Sequence, residues 1–129
     1  MLYYICYTNE DRIKALRLCA ELKASGADAH LIDRGDSELL TDPMEDIMNS
    51  IKGCDVFTVL HSEHTNTSML SQIEITYAKN LHTKICIIKT GHSSISDAIR
   101  FELGNAVIIN EANMAAAAKK LIKSTEGGN

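Results

Sequence analysis

Short apolar runs recur along the chain at Leu2–Cys6, Ala29–Ile32, Val56–Leu60, Ile85–Ile88 and Ala106–Ile109. Most are four or five residues long, rich in β-branched or aromatic residues, and nearly continuous rather than alternating. A continuous run means that both faces of the strand are covered, as in a parallel sheet. Segments of helical period lie between them. Residues 10–25 place Ile13, Leu16, Ala20 and Ala24 on one stripe, with Thr8-x-x-Asp11 as an N-terminal cap and Gly26 as a stop. Residues 43–52 open on Pro43, which suits a first helical position, and turn Ile47, Met48 and Ile51 inward. Residues 68–81, 93–103 and 112–123 form three further helices.

Strand alternating with helix five times predicts an α/β fold with a parallel sheet and helices on both faces. The expected architecture is a flavodoxin-like three-layer sandwich of strand order 2-1-3-4-5. Ligands in such sheets sit beyond the carboxyl ends of the strands, where the order switches between strands 1 and 3. The loops to search are therefore Tyr7–Asp11, Asp33–Asp36, His61–Thr67 and Thr90–His92. They exclude several uses of the fold. No G-x-G-x-x-G follows strand 1 and no G-x-x-x-x-G-K-[ST] occurs, so neither a dinucleotide turn nor a P-loop is present. Strand 3 ends Leu60-His61-Ser62 without the carboxylate of a phosphoacceptor, and Tyr7–Asp11 lacks the glycine of a flavin phosphate loop.

The composition narrows the classes further. The 129 residues suffice for one domain, expected over 1–124 with a flexible tail at 125–129. A net charge of −4 and no basic run argue against wrapping nucleic acid. No apolar run is long enough for a membrane span, and the N-terminus does not read as a signal peptide. Cys6, Cys19, Cys54 and Cys86 each sit among apolar residues, as reduced packed thiols in a cytoplasmic protein do. With no Cys-x-x-Cys pair, a zinc ribbon is excluded.

The third helix carries an anomaly. Leu70, Ile73, Tyr77, Ala78 and Leu81 draw an inward stripe, and Glu74 falls on it, four residues from both Leu70 and Ala78. A carboxylate among apolar neighbours is costly unless it is paired, hydrogen-bonded or used. Ser71-x-x-Glu74 also fits a capping box, in which the helix starts at Ser71 and Glu74 reaches back to a backbone N–H. Helix geometry alone leaves both readings open.

At this point the residues resemble the Toll/interleukin-1 receptor (TIR) domain family. Ile5-Cys6-Tyr7-Thr8 with Asp11 is similar to the family's I-S-Y-x-x-x-D opening. Leu22-x-x-x-Gly26 followed by Leu31-Ile32-Asp33 is similar to its L-x-x-x-G…D segment, and Cys54–Ser62 to its C-D-x-F-I-x-L-L-S strand. Ser68, Glu74 and Ala78 resemble the S-x-W-x-x-x-E-x-x-x-A pattern of the TIR domains that cleave NAD, with Leu70 at the aromatic position.

The resemblance implies a catalytic Glu74, and Tyr7, Thr8, Asp33, Ser62, Ser68 and Leu70 as substrate-binding positions. It implies NAD as substrate, with no separate cofactor and no metal. The products would be nicotinamide and ADP-ribose or a cyclic isomer, as a signal to a separate effector protein in anti-phage defence of the Thoeris type. It also implies self-association through loop 34–46. The plainer readings stand beside these: Tyr7 as wall, Asp33 as a loop cap, Ser62 and Ser68 as turn and cap serines, and the acidic loop as solvated. His61 and His64 lack a third ligand at ordinary spacing and read as solvated rather than metal-bound. Two other functions remain: a non-catalytic interaction module, and an N-glycosidase like the nucleoside deoxyribosyltransferases, whose E-x-G-x-A is here Glu74-Ile75-Thr76-Tyr77-Ala78.

Overall fold

The computed structural model describes residues 1–33 and 43–126. Among them lie five parallel strands: β1 (Leu2–Cys6), β2 (Asp28–His30), β3 (Val56–His61), β4 (Lys84–Lys89) and β5 (Val107–Asn110). The sheet order is β2-β1-β3-β4-β5, the switch-point topology expected from the sequence. β3 is buried along its whole length and is paired on both sides, which is why Val56–Leu60 reads as one apolar run.

Alternation along each strand divides the core into two. Tyr3, Ile5, Val56, Leu60, Cys86 and Ile88 face one side. There they pack with helices α1 (Arg12–Ala24) and α5 (Met114–Glu126). Tyr4, Cys6, Phe57, Val59 and Ile87 face the other, against α2 (Pro43–Gly53), α3 (Met69–Asn80) and α4 (Asp97–Leu103).

Two helices are rotated from the stripes expected. α1 buries Ala15, Leu18, Cys19 and Leu22, whereas Ile13 is 73% exposed and Ala20 and Ala24 face solvent. The buried four follow i, i+3, i+4, i+7, a complete helical face that the scattered 13-16-20-24 set is not. α3 buries Ser71, Glu74, Ile75 and Ala78, again at i, i+3, i+4, i+7, and leaves Ile73 and Leu81 exposed. Glu74 lies on the true face as it did on the expected one. On α2, Ile47 and Ile51 are buried as expected.

At the C-terminus, α5 continues through Glu126. Thr125 is buried, and its hydroxyl is hydrogen-bonded to that of Tyr3. Residues 125 and 126 are thus part of α5, and residues 127–129 of the expected tail lie outside the described residues. Among the described residues no helix is long and apolar enough to cross a membrane.

Candidate active site

α3 begins one turn earlier than a capping box at Ser71 requires. Ser68 is its N-cap, extended at φ −89° and ψ 110°, and its side chain accepts from Ser71 N–H at 3.1 Å. With the start fixed there, Glu74 falls in the second turn and projects onto the sheet, 2% exposed. Tyr4 Oη donates to Glu74 Oε1 at 2.9 Å.

Tyr4 is itself locked. It is in register with His30 of β2 and Phe57 of β3. Its ring stacks on Phe57 with centroids 5.8 Å apart and planes 17° apart, and lies 6.3 Å from the His30 ring. Sequence reasoning missed Tyr4. The signal available was strand alternation, which puts Tyr4 and Cys6 on one face and Tyr3 and Ile5 on the other.

A second polar cluster occupies the switch point. Asp11 is buried just after β1, and its Oδ2 accepts from Thr8 Oγ1 at 3.0 Å and from Ser62 Oγ. Ser62 Oγ also accepts from His64 N–H at 3.2 Å. The structure thus brings Thr8 and Ser62 together, across the gap between β1 and β3, with both hydroxyl hydrogens directed to one carboxylate.

The other expected positions are placed as follows. Tyr7 packs in the α1/α5 core, on the face opposite Glu74, and donates its hydroxyl to Ile32 O at 2.7 Å. Asp33 faces Arg12 in a bidentate pair, with N···O distances of 2.7 and 2.9 Å. Leu70 is half-buried against the α2–α4 core. Of loop 34–46, residues 34–42 lie outside the described residues, while 43–46 form the first turn of α2. Sequence reading did not bring Tyr7 and Glu74 to opposite faces, because it gave no phase to the end of β1.

The remaining chemistry of the chain is subdued. Burial pushes the Cys19 and Cys86 thiols up, and burial with the nearby Asp55 carboxylate pushes Cys54 up to about 11. Such thiols are packing groups, not nucleophiles. His61 is fully buried while His64 is exposed, so the two do not form a ligand pair. Among the described residues no three His, Cys, Asp or Glu side chains are grouped to hold a metal ion.

One carboxylate, buried and held by a phenol, sits on the face of α3 turned to the sheet. A carboxylate is the kind of group that, when ionised, stabilises positive charge developing beside it.

Comparison with known proteins places the fold. Of solved structures, the chain is similar to the CMP N-glycosidase BcmB of Clostridium botulinum, with a TM-score of 0.69 and 18% identity over 94% of this chain and 97% of that one. It is similar to the TIR domain of the Toll-related receptor TRR-2 from Hydra magnipapillata, with a TM-score of 0.65 and 19% identity over 82% of each chain. It is also similar to the RPS4 and RRS1 TIR domain heterodimer, with a TM-score of 0.64 and 15% identity over 98% of this chain and 96% of that one. At these identities the likeness shows the fold alone. No curated protein matches the chain in sequence. A family model described as TIR domain matches residues 4–119, nearly the whole of the sequence. The chain, with its parallel sheet in the order 2-1-3-4-5, belongs to the TIR domain family.

Proposed function

We propose that the chain is an N-glycosidase that breaks the bond between nicotinamide and ribose in NAD, with Glu74 as the catalytic carboxylate. The observation that carries this reading is the burial of Glu74 to 2% exposure on the face toward the sheet, with its Oε1 held by Tyr4. A carboxylate placed there for capping alone would sit in the first turn and reach a backbone N–H, and Ser68 already fills that office.

The chemistry suits a site with one acid group. Nicotinamide in NAD is a cationic leaving group and departs neutral, so no strong general acid is required. The barrier is the oxocarbenium ion that develops at the ribose. Glu74 stabilises that charge through space and holds ribose hydroxyls by accepting their hydrogens. Water then adds to the anomeric carbon and loses a proton, giving ADP-ribose; attack by a nucleophile of the same substrate gives a cyclic isomer instead. In the role the resemblance implies, this product is the signal read by a separate effector protein. The self-association it implies is carried by loop 34–46.

A second substrate class has its own support. The similarity in fold to a solved CMP N-glycosidase suggests a nucleoside monophosphate as the alternative substrate. The two readings share Glu74 and differ in the base released.

The test is chromatographic. Purified protein at several concentrations is incubated with NAD and, separately, with CMP. Release of nicotinamide that Glu74→Ala abolishes supports the leading reading. Release of cytosine alone selects the second. No release from either substrate at any concentration, together with concentration-dependent oligomers, identifies a non-catalytic interaction module. Full activity in Glu74→Ala removes Glu74 from the mechanism.

A further inference from the structure

We propose that Tyr4 is the positioning residue for Glu74 in the glycosidic cleavage, a role that rests on the function proposed above and adds to it. The hydroxyl of Tyr4 donates to Glu74 Oε1 at 2.9 Å, between residues seventy positions apart in sequence. Both side chains are buried, at 3% and 2% exposure.

The bond is built from beneath. His30, Tyr4 and Phe57 are register partners on three adjacent strands, β2, β1 and β3. Register partners point to the same face of a parallel sheet, so the three rings form one row across it. Phe57 stacks nearly parallel on the Tyr4 ring, and His30 lies tilted at its other side. A phenol wedged between two neighbours has little freedom about χ1 and χ2. Its hydroxyl is therefore presented at a fixed height above the sheet, where α3 delivers Glu74.

In this pair the hydrogen belongs to Tyr4, whose hydroxyl donates to Glu74 Oε1. The hydrogen bond from Tyr4 favours the Glu74 rotamers that keep Oε1 toward the phenol. A charge fixed before the reaction needs no reorientation as the oxocarbenium ion forms. Tyr4 acts through Glu74, since its own hydroxyl is committed to the carboxylate.

A positioning role differs from a substrate contact in what it changes. Loss of the hydroxyl lowers kcat and leaves KM where it was, because the contact is felt in the transition state and not in binding. Tyr4→Phe keeps the ring and the aromatic row. A hydrogen bond to a charged group is strong enough to predict a fall in kcat of about ten- to a hundredfold.

The experiment measures base release from NAD and from CMP by wild-type protein and by Tyr4→Phe, with thermal melting of both. A reduced kcat at unchanged KM, in a variant that still melts cooperatively, supports the proposal. An unchanged kcat overturns it and leaves Glu74 standing. A rise in KM alone makes Tyr4 a substrate contact and also overturns it. Absence of release from wild-type protein overturns the glycosidase reading and this role together. If Tyr4→Phe does not fold, the wild-type protein is examined by NMR for a slowly exchanging Tyr4 hydroxyl proton. Its persistence under saturating ADP-ribose and its loss in Glu74→Ala support the proposal, and its loss on adding ADP-ribose overturns it.

Discussion

His61 Nε2 lies 2.9 Å from Asn66 Oδ1, across the turn that joins β3 to α3. The same amide oxygen accepts from Ser96 N–H at 2.9 Å, and Asn66 Nδ2 donates to Ser94 O at 2.8 Å. An amide oxygen can only accept, so His61 carries its hydrogen on Nε2. Its Nδ1 is then a buried lone pair, without a hydrogen-bond partner among the described residues. The backbone N–H and hydroxyl of Thr90 both donate to His61 O. One residue thus ties the loop after β3 to the loop after β4, at the carboxyl ends of the strands.

That tie predicts how stability depends on pH. Burial first, and the nearby Lys89 charge as well, hold the His61 imidazole below its ordinary value of 6.5, against the opposing pull of the Asn66 bond and the Asp11 carboxylate. The unfolded chain takes up the proton near the ordinary value, and the folded chain only at lower pH. The contribution of His61 is therefore complete above about pH 6.5 and is lost as pH falls through the lower folded-state value. Thermal midpoints measured from about pH 8 to pH 5 should show a steeper acid-side fall for wild-type protein than for His61→Gln. Parallel curves would show that His61 is not charged on unfolding.

Ser68 and Ser71 offer a direct test of where α3 begins. Ser68 Oγ accepts from Ser71 N–H, so Ser68→Ala removes a cap and should cost about 1 kcal/mol in urea denaturation. Ser71→Ala removes only a small buried hydroxyl and should cost less. The reverse order would place the helix start at Ser71 and make Glu74 a capping group.

How much of this was legible in the sequence follows from which interactions are local. Strand continuity is local, and all five strands and their order were readable, to within a few residues at their ends. β2 is an edge strand with only Ala29 buried, so its bounds moved from Ala29–Ile32 to Asp28–His30. Helix phase was harder. In α1 the residues Ile13, Leu16 and Ala20 compete with Ala15, Leu18, Cys19 and Leu22, and only the docked sheet chooses between them. In α3 two of the four buried positions, Ser71 and Glu74, are polar, and hydrophobicity alone shifts the stripe toward Leu70 and Ile73. Glu74 was found because it lies on both stripes. Tyr4 was not, because its importance arises from a bond across the fold, and nothing near it in sequence marks a tyrosine that faces a carboxylate. The pairing of Asp33 with Arg12 and the meeting of Thr8 and Ser62 on Asp11 are of the same long-range kind.

Phe57 links core packing to the candidate site. It is fully buried near the start of β3, the middle strand of the sheet, and is the stacking partner of Tyr4. Phe57→Ala deletes a large side chain from a closed core and should cost about 3–5 kcal/mol, enough to threaten folding outright. Phe57→Leu keeps most of the volume and should cost less than about 2 kcal/mol, so a folded variant is expected. The loss specific to Phe57→Leu is the flat surface against which the Tyr4 ring lies. With that surface gone, the phenol gains freedom and the carboxylate of Glu74 is held less firmly. On the proposed function, base release by Phe57→Leu should therefore fall further than the folded fraction accounts for, with the deficit in kcat. The comparison requires melting curves and steady-state rates on the same samples. Activity that tracks the folded fraction alone would show that Phe57 supports the core and has no hold on the site.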